Sequence, residues 1–273
     1  MNRLALTFAR LRKARDVGLF PYLMVGYPSV EATLRLVPAL VEAGADAFEL
    51  GVPFSDPLAD GPAIQKAGFH ALAQGVTLQT VLDACRTLRD HVEVPLLIMS
   101  YYNLLLRYGL DRFAAAAAGA GADGVIVPDL PPEEAGPLRR ACRTSGLDLI
   151  MLLAPTSSDE RLRRIAADAS GFLYCVSLTG VTGSRNQLDA RLPVFLERVR
   201  RVTDLPLAVG FGISRREHVT SIAPYAQAAI VGSALADLLA RTPADKQTVA
   251  AGAFIADLKG RRVAEPVGVG RPR

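Results

Sequence analysis

Eight short apolar runs, spaced along the chain and separated by longer amphipathic stretches, constrain this sequence more than any other feature. They lie near Leu19 to Val25, Ala47 to Val52, Pro95 to Ser100, Gly124 to Val127, Asp148 to Leu153, Phe172 to Ser177, Pro206 to Gly210 and Ala228 to Val231. Each is close to continuously apolar rather than alternating, as expected of parallel strands buried on both faces, and each leads into a helix-like stretch. Strand, loop and helix repeated in this way mean an α/β fold. Helix starts are marked by Ser29, Thr77, Ser158 and Ser214, whose side-chain oxygens can cap free backbone N–H groups. The phrase Ala43-Gly44-Ala45-Asp46 before the second run recurs as Ala120-Gly121-Ala122-Asp123 before the fourth and hints at repeated βα units.

With 273 residues, 50% of them hydrophobic, the chain is near the ~250 typical of one closed α/β barrel. An open doubly wound sheet also has parallel strands, but the strand count and a basic helix before the first strand favour closure. The expectation is a single (β/α)8 TIM barrel with an extra N-terminal helix over residues 1–260. Residues 261–273, with Pro266, Gly268, Gly270 and Pro272 and no apolar periodicity, read as a flexible tail.

Several functional classes are disfavoured. The longest uncharged stretch, Val219 to Ala236, contains Pro224, Gln227 and Gly232, so no membrane span is expected. Met1 to Asp16 carries five basic residues without a long apolar core or a cleavage site, which argues against a secretory signal; an organellar transit peptide is the competing reading. The isolated Cys85, Cys142 and Cys175 fit a reducing compartment, the cytoplasm by default. The net charge of +4 comes from arginines dispersed over many helices, so no nucleic-acid partner is expected.

In such a barrel the chemistry sits at the C-terminal ends of the strands. Glu49, inside Ala47-Phe48-Glu49-Leu50-Gly51-Val52, is a carboxylate in a buried strand, costly unless it is partnered or its pKa is raised. A structural ion pair is the competing reading. The next loop carries Asp56 and Asp60 over the barrel mouth, where carboxylates in unlike environments could divide acid and base work; for Asp60 a turn-stabilising role is an alternative. Glycines after the sixth, seventh and eighth runs, Gly180 to Gly183, Gly210 to Gly212 and Gly232-Ser233, suit a phosphate site, although each alone could be a turn. Lys13, Lys66, Lys246 and Lys259 are the only lysines and none ends a strand, which disfavours a Schiff base. His70, His91 and His218 fall in helix-like stretches, and no metal cluster is expected.

The segment Phe48-Glu49-Leu50-Gly51-Val52-Pro53-Phe54-Ser55-Asp56-Pro57-Leu58-Ala59-Asp60-Gly61-Pro62 closely resembles the signature of the tryptophan synthase α-subunit family. The resemblance extends through Pro21-Tyr22, Gly26-Tyr27-Pro28, Tyr101-Tyr102-Asn103, Val127 to Pro131, Gly180 to Gly183 and Gly210-Phe211-Gly212, nearly the whole chain. It implies a lyase that cleaves indole-3-glycerol phosphate to indole and glyceraldehyde 3-phosphate by a retro-aldol reaction, with neither metal nor organic cofactor. It also implies that Glu49 moves protons between the glycerol hydroxyl and indole C3, that Asp60 accepts the indole N–H, and that Tyr174 is an auxiliary active-site tyrosine. By the same resemblance Tyr22 and Tyr101 line the indole pocket, Gly183, Gly212, Gly232 and Ser233 bind phosphate, and the loop around Thr182 closes over the substrate.

The implied partner is a pyridoxal-phosphate β subunit, in an α2β2 complex, that receives indole through a tunnel. The chain departs from the family where an Asp-Gly pair is often found and Gln227-Ala228 stands here. The alternatives are a stand-alone lyase that releases free indole, another phosphate-binding barrel such as a sugar-phosphate isomerase, and a catalytically silent regulatory barrel.

Overall fold

The computed structural model describes residues 2–176, 191–210 and 212–261. Eight parallel strands close on themselves in sequence order: β1 (Gly18–Met24), β2 (Phe48–Gly51), β3 (Leu96–Met99), β4 (Gly124–Ile126), β5 (Asp148–Leu153), β6 (Leu173–Val176), β7 (Leu207–Gly210) and β8 (Ala228–Val231). Each coincides with one of the eight apolar runs to within a single residue at either end. β8 returns to pair with β1, with Phe20 opposite Ile230, so the sheet has no edge.

The helices are α1 (Arg3–Ala14), α2 (Val30–Ala43), α3 (Pro62–Ala73), α4 (Leu78–Arg89), α5 (Tyr102–Tyr108), α6 (Leu110–Gly119), α7 (Gly136–Ser145), α8 (Asp159–Asp168), α9 (Leu192–Arg200), α10 (Arg216–Ile222), α11 (Ser233–Arg241) and α12 (Gln247–Lys259). Ser29, Thr77 and Ser158 cap α2, α4 and α8 as expected, each accepting the N–H three residues on. Ser214 does not. Its own N–H is donated to Nδ1 of the buried His218, and α10 begins after Arg215 without a side-chain cap, because the imidazole reaches back to the position from which a serine would have capped the helix. His91 lies in the turn after α4 rather than on a helix. None of these helices is long and apolar enough to cross a membrane.

Two apolar layers result. One lies between the sheet and the helices; the other fills the barrel with every second residue of the strands and of the positions that lead into them, including Phe20, Ala47, Leu97, Ile126, Ile150, Phe172, Ala208 and Ala228. The N-terminal helix α1 plugs the base. Its Phe8 meets Phe20 and Phe172 with ring centroids 5.7 and 5.8 Å away, and Phe20 and Phe172 stand 5.7 Å apart, so the floor of the barrel is a packed aromatic cluster.

The repeated Ala-Gly-Ala-Asp phrase has a structural meaning. Gly44 and Gly121 adopt left-handed conformations that turn the chain out of α2 and α6. The following Asp46 and Asp123 then each exchange two hydrogen bonds with the start of the preceding strand: the Asp46 N–H is donated to the Leu19 carbonyl and its carboxylate accepts the Leu19 N–H, and Asp123 treats Leu96 in the same way. Ser170 with Leu149, and Gln227 with Leu207, repeat the arrangement below β5 and β7. One side chain from shortly before each even strand thus staples the base of each odd strand.

Candidate active site

The strand phase that fills the barrel also decides what faces its mouth. Continuing upward in the same phase are Tyr22 of β1, Glu49 of β2, Met99 of β3, Tyr174 of β6, Ile230 of β8 and Gly232 just beyond it. These residues, with Asp60, Gly61, Ile64, Gly212, Ile213, Ser214, Ser233, Ala234 and Asp237, line one cavity of ≈ 280 Å³.

Glu49 is wholly buried, and neither carboxylate oxygen has a hydrogen-bond partner. The structural ion pair is therefore excluded among the described residues. Burial pushes the Glu49 pKa up to about 8, so the side chain is a neutral acid at pH 7 that can give up its proton without a large penalty.

Asp60 stands in a different environment. Its loop is pinned from below: the Tyr101 hydroxyl accepts the Ala59 N–H at 3.0 Å, Tyr101 stacks on Phe54 at 5.0 Å, the Asp60 N–H is donated to the Pro57 carbonyl, and Gln65 Nε2 is donated to the Asp60 carbonyl. Partial burial raises the Asp60 pKa to about 6, and a hydrogen bond from Tyr101 holds it from going higher. At pH 7 Asp60 is mostly a carboxylate. Asp56, by contrast, is exposed, takes the Ser55 hydroxyl, and does not line the cavity. Tyr101 is not part of the lining either; its place is behind the Asp60 loop.

Two glycines make room for the tyrosines. A Cβ on Gly51 would overlap the Tyr22 hydroxyl, and one on Gly210 would overlap the Tyr174 ring. Both phenols are buried, and burial, followed by the nearby carboxylates, pushes their pKa values well above the ordinary range, so they stay neutral. At the far end of the cavity lie Gly212, Gly232 and Ser233. The Ser233 and Ala234 N–H groups open α11 and have no carbonyl within the helix to bond, which suits an anion. Thr182 and Gly183, together with Gly180, Val181 and Phe211, lie outside the described residues, as does the expected tail from residue 262 onward.

Sequence reasoning missed Ile64, Met99, Ile213, Ser214, Ile230, Ala234 and Asp237. Met99 and Ile230 could have been found by counting in twos from Glu49 across the paired strands, since Gly51 stands opposite Met99. Asp237, one turn into α11, carried no such signal.

The sequence model of the family described as "Tryptophan synthase alpha chain" matches residues 8–260. The chain belongs to the tryptophan synthase alpha chain family. It is 55% identical over 261 residues to the tryptophan synthase alpha chain of Roseiflexus sp. (strain RS-1), covering 95% of this chain and 100% of that one. It is 54% identical over 259 residues to the alpha chain of Chloroflexus aggregans, covering 94% and 97%. Among solved structures, tryptophan synthase subunit alpha from Legionella pneumophila superposes with a TM-score of 0.88 at 39% identity over 95% of this chain and 98% of that one. A tryptophan synthase structure from Mycobacterium tuberculosis gives 0.87 at 39% identity, covering 95% and 97%.

Proposed function

We propose that this family member, a lyase of tryptophan biosynthesis, cleaves indole-3-glycerol phosphate at the barrel mouth with Glu49 and Asp60 as its acid and base. The observation that carries the reading is the unlike state of two carboxylates on one cavity: Glu49 neutral up to about pH 8, Asp60 ionised above about pH 6. The indole ring would lie among Tyr22, Met99, Tyr174, Ile64 and Ile230, with the phosphate at Gly212, Gly232 and Ser233; the family resemblance adds Gly183 to the phosphate site and gives Thr182 a part in closing over the substrate.

Glu49 gives its proton to indole C3, and the Asp60 carboxylate accepts the ring N–H and stabilises the positive charge that this leaves on the ring. The carbon–carbon bond to the glycerol chain then breaks. Its electron pair returns to the ring, and the adjacent hydroxyl surrenders its proton to the Glu49 carboxylate as it becomes the aldehyde. Indole and glyceraldehyde 3-phosphate result, Glu49 is again protonated, and the sequence of steps needs neither metal nor organic cofactor.

As an α subunit the chain would pass its indole to a pyridoxal-phosphate β subunit in an α2β2 complex. Leu58, 95% exposed at the tip of the Asp60 loop, supports docking at the mouth. No observation favours a stand-alone lyase. The test is indole release from indole-3-glycerol phosphate across pH: kcat/KM should follow a bell with limbs near about 6, where Asp60 gains a proton, and about 8, where Glu49 loses one. Absence of indole, with or without a β subunit, would refute the reading.

A further inference from the structure

The base of the barrel holds two arginine clasps with the same hydrogen-bond pattern. Arg89 ends α4, and its Nη1 is donated to the carbonyls of Val92 and Val94 at 2.8 and 3.0 Å. Its Nη2 is donated to Asp123 Oδ2 at 2.8 Å, the same oxygen that accepts the Leu96 N–H. Arg200 ends α9 and repeats this: Nη1 to the carbonyls of Thr203 and Leu205 at 3.3 and 3.0 Å, Nη2 to Gln227 Oε1 at 2.9 Å, and the same Oε1 accepting the Leu207 N–H. The hydrogen bonds match and the charge does not. Asp123 neutralises its arginine from within the clasp; Gln227 is an amide, and the carboxylate that acts on Arg200 is Asp204, outside the clasp.

The Arg200 charge faces space. A cavity of ≈ 530 Å³ opens at this clasp, lined by Arg12, Arg15, Asp16, Arg200, Asp204 and Gln227 among others. Asp16 is already engaged by Lys259 at 2.7 Å. Asp204 then stands against three guanidinium groups. Among the described residues Arg12 and Arg15 make no side-chain hydrogen bond or ion pair, and loss of solvent holds the partly buried Arg200 below the usual guanidinium range, with Asp204 opposing that shift and Arg12 adding to it. Arg15 is also the one non-glycine residue at positive φ among those described, at φ 52°, where α2, α7 and α12 end in left-handed Gly44, Gly146 and Gly260. The conformation is unfavourable for a side chain and is the kind of local strain that collects at binding sites.

We infer that this cavity, on the opposite face of the barrel from the reaction site, binds a dianionic phosphate group, free or as a small monoester, between Arg12, Arg15 and Arg200. The anion supplies the negative charge that the Asp123 clasp carries internally and the Gln227 clasp lacks. Guanidinium forks suit phosphate oxygens in charge-assisted pairs, and half-open walls admit a small ligand rather than a macromolecule.

The test is the number of inorganic phosphate ions bound per full-length chain, by titration calorimetry at low ionic strength, in a Gly212→Asp background that disables the mouth. One saturable site should remain. Arg15→Gly should weaken it by about tenfold or more, the order expected for one charge-assisted contact, while leaving the fold at least as stable because glycine relaxes the backbone. Gln227→Glu, which restores the internal carboxylate, should weaken it similarly. Glycerol 3-phosphate in place of inorganic phosphate distinguishes the source, since tighter binding marks a monoester and equal or weaker binding free phosphate. A chain that binds no phosphate outside the mouth, or whose remaining site is indifferent to both Arg15→Gly and Gln227→Glu, would overturn the inference, and neither result bears on the lyase reaction.

Discussion

Glu49 is a residue whose cost to the fold and proposed use in the reaction have the same cause. A carboxyl group with no partner inside an apolar barrel is far easier to bury protonated, so its pKa rises from the ordinary 4.5 to about 8. The folded chain therefore holds a proton that the unfolded chain releases near pH 4.5, and stability contributed by that proton is complete below 4.5 and lost as pH rises towards about 8. Glu49→Gln cannot titrate. Urea unfolding from pH 5 to pH 9 should show the variant gaining on the parent by on the order of a few kcal/mol, since each pH unit separating the folded and unfolded values is worth ~1.4 kcal/mol; parallel pH profiles would contradict the assignment. Tyr101 acts on the other carboxylate, because its hydroxyl donates to Asp60 and opposes the rise caused by burial. Removing the hydroxyl in Tyr101→Phe should move the acid limb of kcat/KM above about 6 and cost up to ~10-fold in rate at pH 6, with the alkaline limb unmoved. Glu49 was legible in the sequence because a lone charge in an apolar run is costly wherever it lands. The role of Tyr101 was not, because its contact with Ala59 spans 42 residues and only the closed barrel brings the two together.

At the scale of elements, strands are held in register by side chains at their bases as well as by the ladder. Asp123 receives Arg89 at 2.8 Å, Arg3 at 3.3 Å and the Leu96 N–H at 2.9 Å while almost wholly buried. Asp123→Ala would leave the Arg89 guanidinium without its charge partner and should cost about 3–5 kcal/mol. Asp123→Asn copies the amide that already serves at Gln227 and should cost less than half as much; equal losses by urea unfolding would show that hydrogen bonding is not what the position supplies. The eight strands were legible because burial on both faces leaves an unbroken apolar run. That same property concealed which residues face the cavity, since Met99 and Ile230 are no more apolar than their outward neighbours. The expected cap at Ser214 failed for a related reason: a buried imidazole four residues on competes for the same end of α10, and nothing local to Ser214 reveals it.

For the whole molecule, closure is what turns scattered residues into a site. Tyr22 and Gly232 meet only because β8 pairs with β1, and Glu49 of β2 and Tyr174 of β6 face one cavity because the sheet closes on itself. The long signature from Phe48 to Pro62 made the reaction class readable in the sequence, while the division of protonation states between its two carboxylates required the barrel. Everything proposed for the reaction depends on a separation of labour, in which Glu49 carries the proton and a distinct group of backbone and glycine positions holds the phosphate. Glu49→Gln probes that separation when it is measured for both indole release from indole-3-glycerol phosphate and affinity for a non-cleavable phosphorylated analogue. A fall in kcat of at least ~10²–10⁴ is expected, with analogue affinity changed by less than about threefold; near-normal indole release by the variant would contradict the role given to Glu49.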